Sequence, residues 1–397
     1  MRRTVVRRPP GRRARILAVA AGQFHRDGYH QVSMAAIAAE VGITAPALYR
    51  HYRGKAELLR CALESGLAAV HEAVAAAGDG PGLCAALAEA AVERREFGTL
   101  WQRDGRLLPP ARRAALRREL RAAVRATAQL VRGDGAAGPV RGEAADGAAE
   151  LRCWAVLSAY GSLSHHSFGL PRRRFEEVLR ALGERLLAVP LPGGPAAAVP
   201  VEAVPAEAGE ATRRGELVAA ATRLFHRRGY DNVSMEQLGS AVGIAGPSVY
   251  KHFGTKAAVL AEVLERGRER LRREVVSVLE GPAGPDAALA AFAAFAWRER
   301  DYLGAMLSET GRLAPADRRA ALDFRREFLR AWVELARTDG ESEAEVRIRV
   351  HAMIAVTIDT TRSGAANPET VAALAGAALG SQGRRAGCLP GAPAVRA

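Results

Sequence analysis

The sequence VSMAAIAAEVGITAPALYRHY occupies positions 32–52, and the related sequence VSMEQLGSAVGIAGPSVYKHF occupies positions 233–253, which lie 201 residues further along the chain. The two copies share a serine, a methionine, a V-G-I run, a proline and a tyrosine at matching positions, and they differ mostly between these positions. A chain of 397 residues is too long for one ordinary domain. The repeat therefore predicts two equivalent units of about two hundred residues each.

Each copy has the pattern of a helix-turn-helix. In the first copy, Ser33 is expected to cap a short helix that ends at Gly42, because glycine readily adopts the left-handed conformation that closes a helix. After Ile43 enters the core, Thr44 is expected to cap a second short helix with Pro46 in its first turn. In the second copy the same roles fall to Ser234, Gly243, Ile244 and Pro247. The second helix of such a motif enters the major groove of DNA.

The repeat continues beyond the segments 32–52 and 233–253. GRLLPPARRAAL, which starts at Gly105, matches GRLAPADRRAAL, which starts at Gly311. Pro171 and Pro368 precede the last helical segment of each unit, and proline is favourable in the first turn of a helix. Helical spacing of apolar residues predominates in both halves and alternating runs are nearly absent, so the predicted fold class is all-α.

Composition marks the boundaries of the units. LPGGPAAAVPVEAVPAEAGEA is rich in proline, glycine and alanine and is predicted to be an extended linker. The basic N-terminal segment and the C-terminal segment are predicted to be disordered. The division is a basic arm at 1–11, a first helix-turn-helix domain at 12–60, a first regulatory domain at 61–190, the linker at 191–211, a second helix-turn-helix domain at 212–265, a second regulatory domain at 266–379 and a tail at 380–397.

The formal net charge of +14 comes mostly from arginine, whose shape suits phosphate contacts, so nucleic acid is the first partner to consider. A GC-biased genome would give a similar composition, so the charge alone does not establish that the protein binds nucleic acid. The cysteines Cys61, Cys84, Cys153 and Cys388 lack CxxC spacing, which indicates neither a zinc site nor a disulfide framework and fits a reducing compartment. No apolar run is long enough to span a bilayer, so a soluble cytoplasmic protein without membrane contact is expected.

Two longer segments, FHRDGYHQVSMAAIAAEVGITAPALYRHYRGKAELL from Phe24 and FHRRGYDNVSMEQLGSAVGIAGPSVYKHFGTKAAVL from Phe225, resemble the N-terminal domain of the TetR/AcrR family of transcriptional regulators. The resemblance implies that each unit has a helix-turn-helix domain followed by a helical ligand-binding and dimerisation domain. It also implies binding to a double-stranded DNA operator, with repression as the family's default.

The resemblance, together with the helix-turn-helix positions that are expected to face outward, gives two sets of expected DNA-binding residues. Tyr49 and Tyr250 are also expected to reach phosphate, although a half-buried tyrosine that closes the small core is the alternative. The first set is Ser33, Thr44, Ala45, Pro46, Ala47, Tyr49, Arg50 and Lys55, and the second set is Ser234, Glu236, Gln237, Ala245, Gly246, Pro247, Ser248, Tyr250, Lys251 and Lys256. The two lysines occupy the place where the family has a lysine against the DNA backbone.

Family members normally act as homodimers on palindromic operators. This chain joins two different helix-turn-helix domains covalently. The hypothesis is therefore that its two halves form an intramolecular pseudo-dimer that reads two unlike half-sites. Thr44 and Arg50 would read one half-site, and Ser248 and Lys251 would read the other. The alternatives are a homodimer with four heads and a non-specific architectural protein that bridges DNA.

In the family, the C-terminal helices enclose an apolar pocket, so a small hydrophobic or amphipathic effector that shifts the spacing of the heads is expected. Core packing is the alternative role for every candidate lining residue. These candidates are Trp101, Trp154, Tyr160 and His165 in the first half and Met306, Trp332, His351 and Met353 in the second.

The sequence contains no G-x-S-x-G, H-E-x-x-H, P-loop or dinucleotide-binding motif, so neither a catalytic residue nor a cofactor is expected. The adjacent residues His165 and His166 face different directions on a helix. Because neither has a carboxylate or cysteine three or four residues away, no metal site is expected.

Overall fold

The computed structural model describes residues 11–133, 143–167, 169–192, 212–338, 340–364 and 366–381. Most of the predicted arm at 1–11, most of the predicted linker at 191–211 and most of the predicted tail at 380–397 lie outside the described residues. Within those ranges the chain forms helices and turns and no strand, which confirms the all-α prediction.

The described part of the first unit contains nine α-helices. A π-helical turn at Leu100–Asp104 and a 3-10 turn at Gly105–Leu107 precede its seventh helix, and a 3-10 turn at Ser162–His165 follows its eighth. The helices are α1 Arg12–Asp27, α2 Met34–Val41, α3 Ala45–Tyr49, α4 Lys55–Ala76, α5 Gly80–Glu93, α6 Phe97–Thr99, α7 Pro110–Gly133, α8 Glu143–Gly161 and α9 Arg172–Ala188. We call α1–α3 head 1 and α4–α9 body 1.

The second unit repeats this order with one additional short helix. The helices are α10 Arg213–Arg228, α11 Met235–Ala241, α12 Gly246–Val249, α13 Lys256–Leu271, α14 Ser277–Leu279, α15 Gly284–Arg298, α16 Arg300–Glu309, α17 Pro315–Ala336, α18 Glu343–Ser363 and α19 Pro368–Leu379. A π-helical turn at Arg272–Val276 joins α13 to α14. We call α10–α12 head 2 and α13–α19 body 2.

The buried side chains form two clusters that do not follow the boundary between the units. One cluster runs through body 1, body 2 and head 2, and its largest members include Trp332, Phe292 and Phe295. The other cluster lies under head 1 and includes Phe24, Leu48 and residues of α4 and α7. Burying each large apolar side chain contributes about 1.5–3 kcal/mol, so these two clusters hold the helices together.

The helix that follows each head lies directly against an aromatic ring of its body. A Cβ atom placed on Gly66 of α4 would lie 2.1 Å from the Phe97 ring, and one placed on Gly267 of α13 would lie 2.1 Å from the Tyr302 ring. Carbon atoms in contact are normally about 3.5–4.0 Å apart. Glycine is therefore required at both places, and each close approach fixes a head-bearing helix on its body.

Candidate nucleic-acid interface

Head 1 forms the predicted helix-turn-helix. The Ser33 hydroxyl accepts a hydrogen bond from the backbone N–H of Ala36 at 3.0 Å and so caps α2. Gly42 ends α2 in the left-handed conformation, with φ 78° and ψ 37°. The Thr44 hydroxyl then caps α3 by accepting from the N–H of Ala47 at 3.4 Å. These contacts confirm the predicted caps and turn, because each satisfies helix-end groups that would otherwise lack a partner.

The second helix of head 1 presents one face to its own core and another to solvent. Leu48 is fully buried, and Tyr52 just beyond α3 is buried with its hydroxyl donating to the backbone oxygen of Arg13 at 3.1 Å. By contrast, Tyr49 is 53% exposed and Arg50 is also exposed. Helix α3 therefore has an outward face that carries an aromatic ring, a hydroxyl group and a guanidinium group.

Head 2 has the same architecture with different caps. The Ser234 hydroxyl accepts from the N–H of Gln237 at 3.1 Å, and the Gln237 side-chain oxygen accepts from the N–H of Ser234 at 3.0 Å, which is a complete capping box. Gly243 makes the turn with φ 73°. Ala245 precedes α12 without a side-chain cap, whereas Val249 is buried and Tyr250 is 56% exposed. The two heads therefore share a packing scheme but present different groups at the start of the second helix.

The structure corrects the expected orientation of one position. Gly246 is buried rather than outward-facing, because a Cβ atom there would lie 3.1 Å from the Cα atom of Glu236 on the preceding helix. The equivalent residue of head 1, Ala45, is half-buried and packs against the head 1 cluster. A small residue is therefore found at this inward position of both heads, and in head 2 it permits the close crossing of α11 and α12.

The lysines at the start of α4 and α13 have partners inside their own units. The Lys55 ammonium donates to the backbone oxygen of Tyr29 at 2.8 Å and lies 4.6 Å from the centre of its ring. The Lys256 ammonium donates to the backbone oxygen of Tyr230 at 2.9 Å and lies 4.3 Å from the centre of its ring. It also donates to the backbone oxygen of Val233. Each lysine therefore secures the loop that follows the first helix of its head, and its contact with a DNA backbone stays a prediction.

The remaining expected DNA-binding residues divide by exposure. Those that are half-buried are Ala47 and Ser248, in addition to Ala45 and the two lysines. Those that are exposed are Ser33, Thr44, Pro46, Tyr49, Arg50, Ser234, Glu236, Gln237, Ala245, Pro247, Tyr250 and Lys251. Most of the expected residues thus lie on accessible surfaces of the two heads.

The two units pack against each other through the last two helices of each body. Helix α8 lies against α18, and α9 lies against α19. The Arg185 side chain of α9 donates to the backbone oxygen of Ala377 at 3.2 Å, and Arg174 pairs with Glu345 at 2.6 Å. The His166 and His351 rings, one from each unit, have centres 4.9 Å apart. This face is therefore occupied within a single chain.

A second set of contacts between the units lies nearer the heads. Arg106 of the GRL turn in unit 1 forms an ion pair with the buried carboxylate of Glu309 in unit 2. The Arg106 guanidinium also lies beside Gly229, at the end of the first helix of head 2. Gln102 donates to Asp359 at 3.0 Å, and burial raises the pKa of that carboxyl. No local sequence pattern indicates these pairs, because their members lie more than two hundred residues apart along the chain.

A cleft of about 1080 Å³ lies between the two units below the heads. Three of the eight expected pocket residues, His165, Met306 and His351, line it. The other five do not belong to its lining and pack in or against the two clusters of buried side chains: Trp101, Trp154, Tyr160, Trp332 and Met353. The core alternative therefore describes these five.

Three histidines meet where the units join beside the cleft. Burial, together with the positive charge of Arg325, lowers the pKa of His165 to about 4. Burial likewise lowers the pKa of His166 and of His351 to about 3. All three rings are therefore neutral at physiological pH, and their protonation opposes folding in acid.

The geometry defines a class of protein: an all-α chain with two complete helix-turn-helix heads on two packed helical bodies. Comparisons with known proteins agree. The family model for the N-terminal domain of bacterial regulatory proteins of the tetR family matches residues 16–62 and again residues 217–263. One segment in each unit thus matches the DNA-binding domain of the tetR family, and the two matched segments lie in tandem along the chain. Proteins of this family bind DNA and regulate transcription, often in response to a ligand.

Individual relatives match over short segments of the chain. The chain is 36% identical over 59 residues to the HTH-type transcriptional activator FasR of Mycolicibacterium smegmatis, covering 15% of this chain and 27% of that protein. It is 41% identical over 49 residues to the HTH-type transcriptional repressor BdcR of Escherichia coli, covering 12% of this chain and 25% of that protein. The matched region thus spans about a quarter of the length of each of these relatives.

Among solved structures, the ketosteroid transcriptional regulator KstR2 of Mycobacterium tuberculosis aligns with a TM-score of 0.39 and 19% identity, over 43% of this chain and 94% of that one. AibR in complex with isovaleryl coenzyme A and operator DNA aligns with a TM-score of 0.37 and 17% identity, over 42% of this chain and 97% of that one.

Among the described residues, no helix is both long and apolar enough to cross a membrane. Their histidine, cysteine, aspartate and glutamate side chains form no group of three or more that could hold a metal ion.

Proposed function

We propose that the protein is a sequence-specific DNA-binding transcriptional regulator whose two units act as an intramolecular pseudo-dimer. One observation carries the proposal: a single chain has two outward-facing second helices, α3 and α12, while the bodies that bear them pack on each other through α8, α9, α18 and α19. A dimeric helix-turn-helix protein needs two heads held at a fixed spacing. This chain supplies both heads and the packing that holds them.

The two heads would read unlike half-sites. Thr44 and Arg50 lie on the exposed side of head 1. In head 2, the exposed Lys251 matches Arg50, whereas the half-buried Ser248 matches Ala47 and the position of Thr44 is taken by Ala245. Arginine can form paired hydrogen bonds with guanine in the major groove, whereas lysine and serine make less directional contacts. The exposed rings of Tyr49 and Tyr250 are the same in both heads and would contact the phosphate backbone. Shared positioning contacts and different base contacts favour an asymmetric operator.

We also propose that the protein responds to a small hydrophobic or amphipathic effector and represses its target. The cleft between the units gives an effector a place to act, because its walls include the ends of the first helices of both heads, at 25–31 and 226–232. A ligand that binds only the conformation with one particular distance between the heads would increase the population of that conformation. The affinity for DNA would then rise or fall according to whether that distance fits the operator. One matched relative is an activator and the other a repressor, so an expression assay on the native promoter decides the direction.

Selection of bound duplexes from a random pool tests the function, followed by measurement of the mass of the complex on the selected site. The expected result is two dissimilar half-sites about one helical turn apart, occupied by one chain. Arg50→Ala should weaken binding only to the first half-site and Lys251→Ala only to the second, each by about 1–3 kcal/mol if it reads a base. Arg330→Ala, an exposed change on α17 of body 2, is the control.

Other outcomes of this experiment separate the alternatives. Two chains on one operator would replace the pseudo-dimer with a homodimer of four heads. A pool without an enriched sequence, or equal competition by random DNA, would instead favour an architectural protein that bridges duplexes.

A further inference from the structure

The cleft between the units is built by both of them, and neither unit encloses it alone. Unit 1 contributes the GRL turn and the start of α7, including Arg113 and Arg117. Unit 2 contributes α16, α17 and α18, including Phe328, Arg325 and Arg362. At about 1080 Å³ the cleft is as large as the upper end of typical small-molecule sites.

The lining of this cleft carries a large excess of positive charge. It includes twelve arginines but only four aspartates and no glutamate. Some of these arginines are neutralised, as Arg103 is by Asp104 and Arg312 is by Asp231. In the part of the chain that the structure describes, no carboxylate pairs with Arg113, Arg117 or Arg325. Arg325 also donates to the backbone oxygen of His165 at 3.4 Å, a contact that does not neutralise its charge, so the positive charge of all three side chains is available to an anion.

The surroundings of two of these arginines disfavour their positive charge. Arg325 is exposed to the water of the cleft, yet protein surrounds it on most sides, and this desolvation lowers its pKa. Partial desolvation and the charges of Arg113, Arg362 and Arg121 lower the pKa of Arg117. Because Arg117 and Arg362 belong to different units, positive charge from both units is concentrated across the cleft. An anion bound there would relieve this repulsion.

The cleft also has an apolar wall, which lies beside Arg325 on α17. Phe324 and Phe328 precede and follow Arg325 on this helix, and their ring centres are 6.2 Å apart. Phe292 packs against Phe328 with ring centres 5.5 Å apart. Leu107 of unit 1 and Leu307 of unit 2, which are 40% and 39% exposed, add further apolar surface to the lining. Aromatic and aliphatic surface beside unpaired arginines suits a molecule with a chain and an anionic end.

We propose that this composite cleft binds one anionic amphiphile per chain, with its carboxylate or phosphate end held by Arg325 of unit 2 and by Arg113 and Arg117 of unit 1, and its hydrocarbon chain held against Phe324, Phe328, Leu107 and Leu307. The occupant joins the two units at the level of the heads, where Arg106 already touches Gly229 and Glu309. It therefore fixes the distance between the heads. This regulatory consequence rests on the proposed function, whereas the binding itself does not.

Calorimetric titration of the full chain without DNA tests the inference. The probes are dodecanoate, dodecyl phosphate, dodecan-1-ol and acetate, each below its aggregation concentration. The expected result is one equivalent of an anionic twelve-carbon probe per chain, with binding at least about tenfold weaker for dodecan-1-ol and for acetate. Tighter binding of dodecanoate identifies a fatty carboxylate as the natural end group, and tighter binding of dodecyl phosphate identifies a phosphate. Both results support the shared chemistry.

Variants test whether the site is composite. Arg325→Ala, and separately Arg113→Ala combined with Arg117→Ala, should each weaken the better anionic probe by about tenfold or more and leave dodecan-1-ol within about twofold. Arg330→Ala lies on the same helix as Arg325 but outside the cleft, and it should bind like the parent chain. Arg325→Lys should retain part of the affinity, which separates loss of charge from loss of fold.

Several results would overturn the inference. These are the absence of binding by both anionic probes, equal binding of dodecan-1-ol, and unchanged affinity in either the Arg325 variant or the double variant. Because the titration contains no DNA, such a failure leaves the proposed function intact. A failed operator selection would in turn leave the cleft unaffected.

Discussion

Replacing Gly267 with alanine should destabilise the protein through a single steric contact. The new Cβ atom would lie 2.1 Å from two ring carbons of Tyr302, which is about 1.5 Å closer than carbon atoms normally approach. Tyr302 is 1% exposed and cannot move into solvent. Overpacking of this kind lowers the free energy of unfolding by up to about 3 kcal/mol, whereas the higher helix propensity of alanine raises it by about 1 kcal/mol. The expected net loss is about 2 kcal/mol, or a fall of about 4–8 °C in Tm for a unit of this size.

Thermal unfolding followed by circular dichroism measures this change, and two variants control it. Gly147→Ala lies in α8 with no atom within 4 Å of the added Cβ, so it should gain helix propensity without a clash and raise stability by up to about 1 kcal/mol. In a Tyr302→Ala background, the Gly267→Ala change should become neutral or stabilising. A Gly267→Ala chain that melts at or above the parent temperature would refute the reasoning. So would a loss that persists after the ring has been removed.

Three further outcomes are expected. The pKa of His351 is lowered to about 3, so below about pH 6.5 the unfolded chain binds a proton at this residue that the folded chain does not bind. This residue therefore lowers the free energy of unfolding by about 1.4 kcal/mol for each pH unit of acidification below that point. His351→Gln should reduce the loss of urea resistance between pH 7 and pH 5. Gly42→Ala places a side chain at φ 78° and should cost about 1–2 kcal/mol of stability, measured by the same unfolding assay, together with weaker binding to the first half-site in a gel-shift assay. Arg174→Ala breaks an ion pair whose arginine side chain is 52% exposed, so water already screens the attraction, and light scattering and the melting curve should match those of the parent.

Local chemistry explains why the heads were predictable from the sequence. Ser33, Gly42 and Thr44 act through hydrogen bonds and dihedral angles within three or four residues, so short patterns determine them. The same holds for Ser234 and Gly243 in head 2. Such contacts depend little on where the remaining chain lies, and both copies of the pattern therefore identified the same architecture.

Contacts between distant elements explain what the sequence could not reveal. Gly246 faces inward because α11 and α12 cross closely, and periodicity within a four-residue helix does not specify that crossing. Trp332 was a reasonable pocket candidate by size alone, yet the aromatic residues around it fill its surroundings. The cleft and the Arg106 to Glu309 pair require the relative position of two units, which no local pattern encodes.

The packing of α8 and α9 on α18 and α19 has a consequence for how the protein behaves when it is scarce. Two separate subunits must find each other, so the assembled fraction falls as they are diluted. Here the partners belong to one chain, and their local concentration is set by the length of the connection rather than by the number of molecules in the cell. In the proposed one-chain complex, binding to DNA should accordingly rise in direct proportion to protein concentration, without the steeper, second-order dependence of a dissociating pair.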